Sequence, residues 1–141
     1  MTISPFIGTI QDGEVGNVSL EIIVENYLKY YASNNGHTAR AKQLDLSHFL
    51  EYLRRIRRYK SVEEVKVSDW SASNVQRCVE DSLNRGEAPA TVCRRLATIK
   101  HMGRTMAETV PGFVNPAREV RPPKVALLRP KALDVDEVAE V

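Results

Sequence analysis

Cysteine is scarce in this chain. Its two cysteines, Cys78 and Cys93, make neither a metal-binding spacing nor a disulfide framework, and they fit a reducing cytoplasm. Long apolar stretches are also missing. The longest unbroken run is residues 125–128, which excludes a membrane-spanning helix. The opening MTISPFIGTI has no basic start followed by a long apolar stretch, so no secretory signal is read there. Aromatics amount to only 6%. No proline occurs between Pro5 and Pro89, which leaves room for long helices. There is no Walker loop, dinucleotide fingerprint, zinc spacing or nucleophile elbow. His37, His48 and His101 lie far apart in sequence and suggest no metal site. Tyr27, Tyr30, Tyr31, Tyr52 and Tyr59 sit beside no evident base, and helix packing accounts for them better than nucleophilic catalysis. No catalytic role is expected of this chain alone.

What is present is a globular composition. The 141 residues are 43% hydrophobic and 27% charged, which suits one domain with tails. The net charge of +2 conceals a strong partition. Residues 1–37 carry −3, residues 38–60 carry +5, residues 61–84 carry −3, residues 85–131 carry +7 and residues 132–141 carry −4. Two concentrated basic segments point to a polyanionic partner.

Periodicity predicts an all-α fold of four helices with short loops. Residues 1–18 hold Pro5, Gly8, Gly13 and Gly16 and read as a flexible arm. Ser19 is placed to cap a first helix with Leu20, Ile23, Val24, Tyr27, Leu28 and Tyr31 on one side. Thr38 is placed to cap a second, ending near Arg58, with Leu46, Phe49, Leu50, Leu53 and Ile56 inward. Arg54, Arg55, Arg57, Arg58 and Lys60 cluster at its far end, either as a solvated face or as a basic patch. SVEEVKV has strand character but no evident partner. Trp70 reads as a core plug. A third helix starts near Ser71 or Ser73, buries Val75, Val79 and Leu83, and stops at Gly86.

Pro89 opens a fourth helix. Val92, Leu96, Ile99, Gly103 and Met106 form its inward stripe, with Gly103 allowing a neighbouring helix to approach. Thr91, Arg94, Thr98, His101 and Thr105 fall on the opposite side, which carries no acid. Such a face suits nucleic acid: hydroxyls permit close approach to phosphates, and Arg bridges phosphates or reads guanine edges. The free N–H groups near Thr91 also favour phosphate. Beyond Pro111 the prolines Pro116, Pro122, Pro123 and Pro130 predict an extended basic linker over 111–131. Asp134 and Glu137 then resemble a capping box opening another helix. The expectation is a fragment whose next domain is missing.

Taken in order, these motifs resemble the tyrosine recombinases of the phage integrase family. HTARAKQLDLSHFLEYL is similar to the family's second-helix signature through Thr38, Asp45, Leu46, Phe49, Tyr52 and Leu53. NRGEAPATVCRRLATIKHMGRTM is similar to its fourth helix through Gly86, Thr91, Arg94, Arg95, Leu96 and Ile99. Residues 115–124 resemble the N-P-A…P-P linker, and KALDVDEV resembles the start of the catalytic domain. Lys42 stands where the family often has an aromatic, and Ala88 where a capping serine is frequent.

The resemblance implies a SAM-like core-binding domain over residues 19–110, closing on one side of duplex DNA with its second and fourth helices at the major groove. It implies contacts from Thr38 and Thr91 to phosphates, Arg94 to base edges, and Arg40 and Arg95 along the backbone. Thr98 and His101 would extend the stripe, and Arg121, Lys124 and Arg129 would follow phosphates along the linker. No metal or other cofactor is implied. The active-site arginines, lysine, histidines and tyrosine would lie in the absent catalytic domain, and other recombinase protomers would join on DNA. The alternative from a different class is a helical protein-interaction module without a nucleic-acid role. Only Leu44 and residues 125–128 suggest an apolar docking surface for it. A small helix-turn-helix regulator would need shorter helices.

Overall fold

The computed structural model describes residues 2–4, 8–10, 15–31 and 36–123. Four helices carry the fold: α1 (Leu20–Tyr31), α2 (Gly36–Arg57), α3 (Ala72–Asn84) and α4 (Pro89–Thr109). The fold class is all-α, as the periodicity predicts. α2 packs against α1, α3 and α4, and α4 also packs against α3. The arm is not wholly irregular. Strands β1 (Thr2–Ser4) and β2 (Gly8–Ile10) pair antiparallel, with Thr2 opposite Ile10 and Ser4 opposite Gly8.

The apolar stripes meet in one core. Leu20, Ile23 and Tyr27 of α1, Leu46, Phe49 and Leu53 of α2, Val75 of α3, and Met102 and Met106 of α4 are each fully excluded from solvent. Trp70 is the core plug expected, 3% exposed and 5.7 Å from the Phe113 ring. Tyr31 and Ile56, predicted inward, are only partly covered, 40% and 37% exposed, each in the last turn of its helix.

SVEEVKV finds a partner after all. It forms two 3-10 turns, Val62–Glu64 and Val67–Asp69, and between them Lys66 pairs with Ser19 in a single antiparallel bridge. Leu20 N–H donates to the Val65 carbonyl, Val67 N–H donates to the Val18 carbonyl, and the Ser19 hydroxyl donates to the Glu63 carbonyl. The start of α1 is therefore tied across the bundle.

Two helices end in the same motif. After α3, Gly86 takes a φ of 89°, Gly86 N–H donates to the Leu83 carbonyl, and Glu87 N–H donates to that of Ser82. After α2, Arg58 donates to Arg55 and Tyr59 to Arg54 in the same pattern, but the left-handed residue is Arg58 at φ 61°. α2 begins at Gly36, so Thr38 lies in its first turn rather than capping it. α4 starts after Ala88, which supplies no side-chain cap.

The expectation of an extended linker from residue 111 fails over its first part. A turn with Gly112 at φ 82° redirects the chain, and Val110, Ala117 and Val120 enter the core. The Asn115 amide donates to the Lys100 carbonyl and accepts from Ala117 N–H. Its side chain occupies the space over Gly103, where a Cβ would overlap it. Gly103 thus admits the Asn115 side chain, not a neighbouring helix. The Cys93 thiol reaches the Pro123 carbonyl at 3.6 Å, so the chain runs back along α4.

Replacing Gly103 by Ala is expected to lower stability by roughly 1–3 kcal/mol through overpacking against Asn115, read as an earlier thermal transition. Arg58→Gly is expected to raise stability by about 0.5–1 kcal/mol, because glycine adopts the left-handed conformation without a Cβ conflict. Chemical denaturation measures it.

Candidate nucleic-acid interface

The side chains singled out on α4 do not form a free outer face. α4 is buried by α2, by α3 and by the returning segment, so nine of its residues are buried, among them Arg95, Thr98 and Thr105. The stripe taken as outward is largely the junction with α2, where polar side chains meet in three successive layers.

The central layer is built on Asp45, whose carboxylate is only 1% exposed. Arg94 grips it with two bonds, Nη2 to Oδ1 at 2.6 Å and Nε to Oδ2 at 3.3 Å. The Thr98 hydroxyl donates to Oδ2 at 3.0 Å. A carboxylate withdrawn from water needs such partners. Arg94 itself remains 51% exposed. The Asp45 bond and charge push its guanidinium pKa still higher, so it stays a cation.

One layer away, the Lys42 amine donates to the Tyr27 hydroxyl at 2.8 Å, and that hydroxyl shares a hydrogen bond with His101 Nδ1 at 2.5 Å. Burial, with Tyr31 nearby, lifts the Tyr27 pKa to about 12, so it keeps its proton. Burial and then the Lys42 and Arg104 charges hold the His101 pKa below 6.5. Its neutral ring has one donor and one acceptor nitrogen, and Nδ1 is the one bonded to Tyr27. Lys42 thus carries its amine at the hydroxyl end of the Tyr27 ring, 5.3 Å from its centroid.

The third layer joins α2 to the turn before α4. Arg95 donates to Glu87 at 2.9 Å and Ser82 at 3.4 Å, and His48 Nε2 lies 3.4 Å from Glu87. The Gly86 turn sets Glu87 in place for this. Burial works against the Glu87 carboxylate, yet the Arg95 hydrogen bond and charge outweigh it and its pKa falls below 4.5. Burial and the Arg95 charge push the His48 pKa down.

The expected contact residues therefore divide. Arg94, Thr98 and His101 come together with Lys42 and Asp45, but only Arg94 is well exposed and His101 is half-buried. Arg95 and Thr98 face inward, and this corrects their expected place on the surface: the ionic and hydroxyl partners they satisfy are internal. Thr38 is exposed and Thr91 half-buried, near the starts of α2 and α4. Arg40 is exposed but lies about 160° from Lys42 around α2, so it is not on this junction. Arg121 is exposed, whereas Lys124 and Arg129 lie outside the described residues.

Sequence reasoning missed Lys42, Asp45 and His48. A signal was available: Thr38, Lys42, Asp45 and His48 recur at steps of four, three and three on α2. The other basic cluster is largely occupied. Arg54 binds Glu51 and the Tyr59 carbonyl, whereas Arg57 binds the buried Asp69 at 3.0 Å and stays as exposed as Arg94. A further recess of about 460 Å³ opens beside α4, lined by Lys100, Arg104 and Arg118 with Phe113 and Val114. Cys78 is buried and its thiol pKa is pushed up to about 11, which leaves it unreactive at neutral pH. Among the described residues, no helix is long and apolar enough to cross a membrane, and no group of His, Cys, Asp and Glu is arranged to hold a metal.

His48 and His101 titrate below 6.5 in the folded chain, so the unfolded chain takes up protons first as pH falls. Their contribution is complete above about pH 6.5 and declines as pH falls through the folded values. Thermal stability is expected to fall as pH drops below about 6.5, and H48Q/H101Q is expected to flatten that dependence.

Comparison with known proteins agrees with this architecture. Residues 24–105 match the family described as "Phage integrase, N-terminal SAM-like domain". The chain is 32% identical over 124 residues to tyrosine recombinase XerC of Myxococcus xanthus, covering 85% of this chain and 39% of that protein. The same identity and coverage hold for tyrosine recombinase XerC of Myxococcus xanthus strain DK1622. No solved structure matches. The chain thus spans about two fifths of the length of these curated relatives. By its helices, their order and this match, the chain belongs to the phage integrase family, of which it carries the N-terminal SAM-like domain.

Proposed function

We propose that this chain is the duplex-DNA grip of a site-specific tyrosine recombinase, and that the α2–α4 junction faces the DNA. The observation that carries this reading is Arg94. It is half-exposed on the helix that the family resemblance brings to the major groove, and its guanidinium is held in a fixed plane by Asp45. A planar, anchored fork suits guanine edges and phosphates alike. Thr38 and Thr91 contact phosphates from the starts of α2 and α4, with Lys42 and His101 beside them. Arg40, Arg121, Lys124 and Arg129 add attraction along the backbone. Arg95 and Thr98, being buried, act through the partners they hold.

Strand cleavage and rejoining would belong to a catalytic domain following this one in the longer protein, with further protomers assembled on the same DNA. The action is cytoplasmic on this reading. The second reading is a protein-interaction module, for which Leu44 is exposed, while residues 125–128 lie outside the described residues.

Titration of the chain with duplex DNA in rising potassium chloride tests the proposal. If the grip neutralises roughly four to six phosphates, log K falls against log salt with a slope of about −4 to −5. A slope near zero, or no binding at low salt, rules the grip out.

A further inference from the structure

We infer that Asp45 and Thr98 are positioning residues that convert Arg94 from a mobile cation into a reader of base edges. The inference rests on the DNA-grip reading and specifies how its central residue works. Asp45 lies 49 residues before Arg94 in the chain, and its carboxylate is 1% exposed. The two Arg94 bonds engage Nε and Nη2, and Thr98, one helical turn further along α4, braces the same carboxylate. Arginine has five N–H donors. Two are used, so three project from a guanidinium whose plane and direction are already set.

Two physical consequences follow. An anchored side chain has less rotamer freedom to lose on binding, so geometry governs its contacts more strongly. The Asp45 charge also offsets the Arg94 charge, so the pair contributes little to counterion release on DNA. A free surface arginine has the opposite character: it contributes fully to salt dependence and little to discrimination. The other cations nearby do not compete with Arg94 for Asp45. Lys42 is turned to Tyr27, and Arg95 is engaged by Glu87.

The test uses the intact chain and a pool of duplexes with a randomised core, sequenced before and after selection, alongside salt titrations on the unselected pool. The parent chain is expected to enrich a motif. T98V is expected to stay folded and to enrich that motif roughly five- to tenfold less, with the salt slope unchanged. R94K keeps the charge without the fork and is expected to lose enrichment likewise. D45N frees the Arg94 charge, and its salt slope is expected to steepen by about 0.9 while enrichment falls. A merely structural tie would shift thermal unfolding and leave enrichment alone. Parent-level enrichment in folded T98V overturns the inference, and this variant decides the matter even if D45N does not fold. A parent chain that binds DNA with the expected salt slope but enriches no sequence overturns base reading and leaves the grip standing. A parent chain that does not bind DNA overturns both.

Discussion

A carboxylate buried between two long helices governs this domain. Asp45 is shielded from water beside Leu46 and Phe49, where an unpaired charge would be strongly unfavourable. Its compensation comes from α4, through Arg94 and Thr98. Apolar side chains on two helices tolerate small sliding displacements, but a bidentate ion pair does not. The register of α2 against α4 therefore follows from one acid. The layers on either side, Lys42–Tyr27–His101 and His48–Glu87–Arg95, fall into contact in the same register.

The position of α4 explains why so many of its polar residues are internal. It has α2 on one side and α3 on another, and the segment from Val110 to Pro123 returns along it. Asn115 fastens that return by bonding to Lys100 over Gly103, and Val110, Ala117 and Val120 close the core beneath it. A helix enclosed in this way keeps only part of its circumference for solvent. Arg94 lies at the border, bonded inward at Nε and exposed beyond it, and this combination suits it to recognition.

The helices were legible because their signals are local. Leu20, Ile23, Val24 and Tyr27, or Val92, Leu96, Ile99 and Met106, repeat at helical spacing, and Gly86 ends α3 where a left-handed residue is needed. The polar layers were not legible in the same way. Nothing near Arg94 in sequence announces Asp45, and an acid-free stripe on one helix says nothing about an acid on the next. Reading Thr98 as a surface residue followed from treating α4 as a helix with a single buried face, and Arg95 was placed at the surface by the resemblance. The return of residues 110–123 was hidden because five prolines between 111 and 130 predict extended chain, and they do not report that Asn115 fits over Gly103, twelve residues before it.

The amino-acid order alone determined an all-helical chain, the approximate limits of four helices, their apolar sides and the two basic concentrations, because propensity, capping and periodicity act within a few residues. Tertiary structure alone decided which cations remain available. Arg54 is paired with Glu51 and Arg95 is enclosed, whereas Arg94 and Arg57 are each tied to a buried aspartate and still about half exposed. Charge is a property of a residue, but availability depends on distant partners and on water, and both are assigned only when the helices pack.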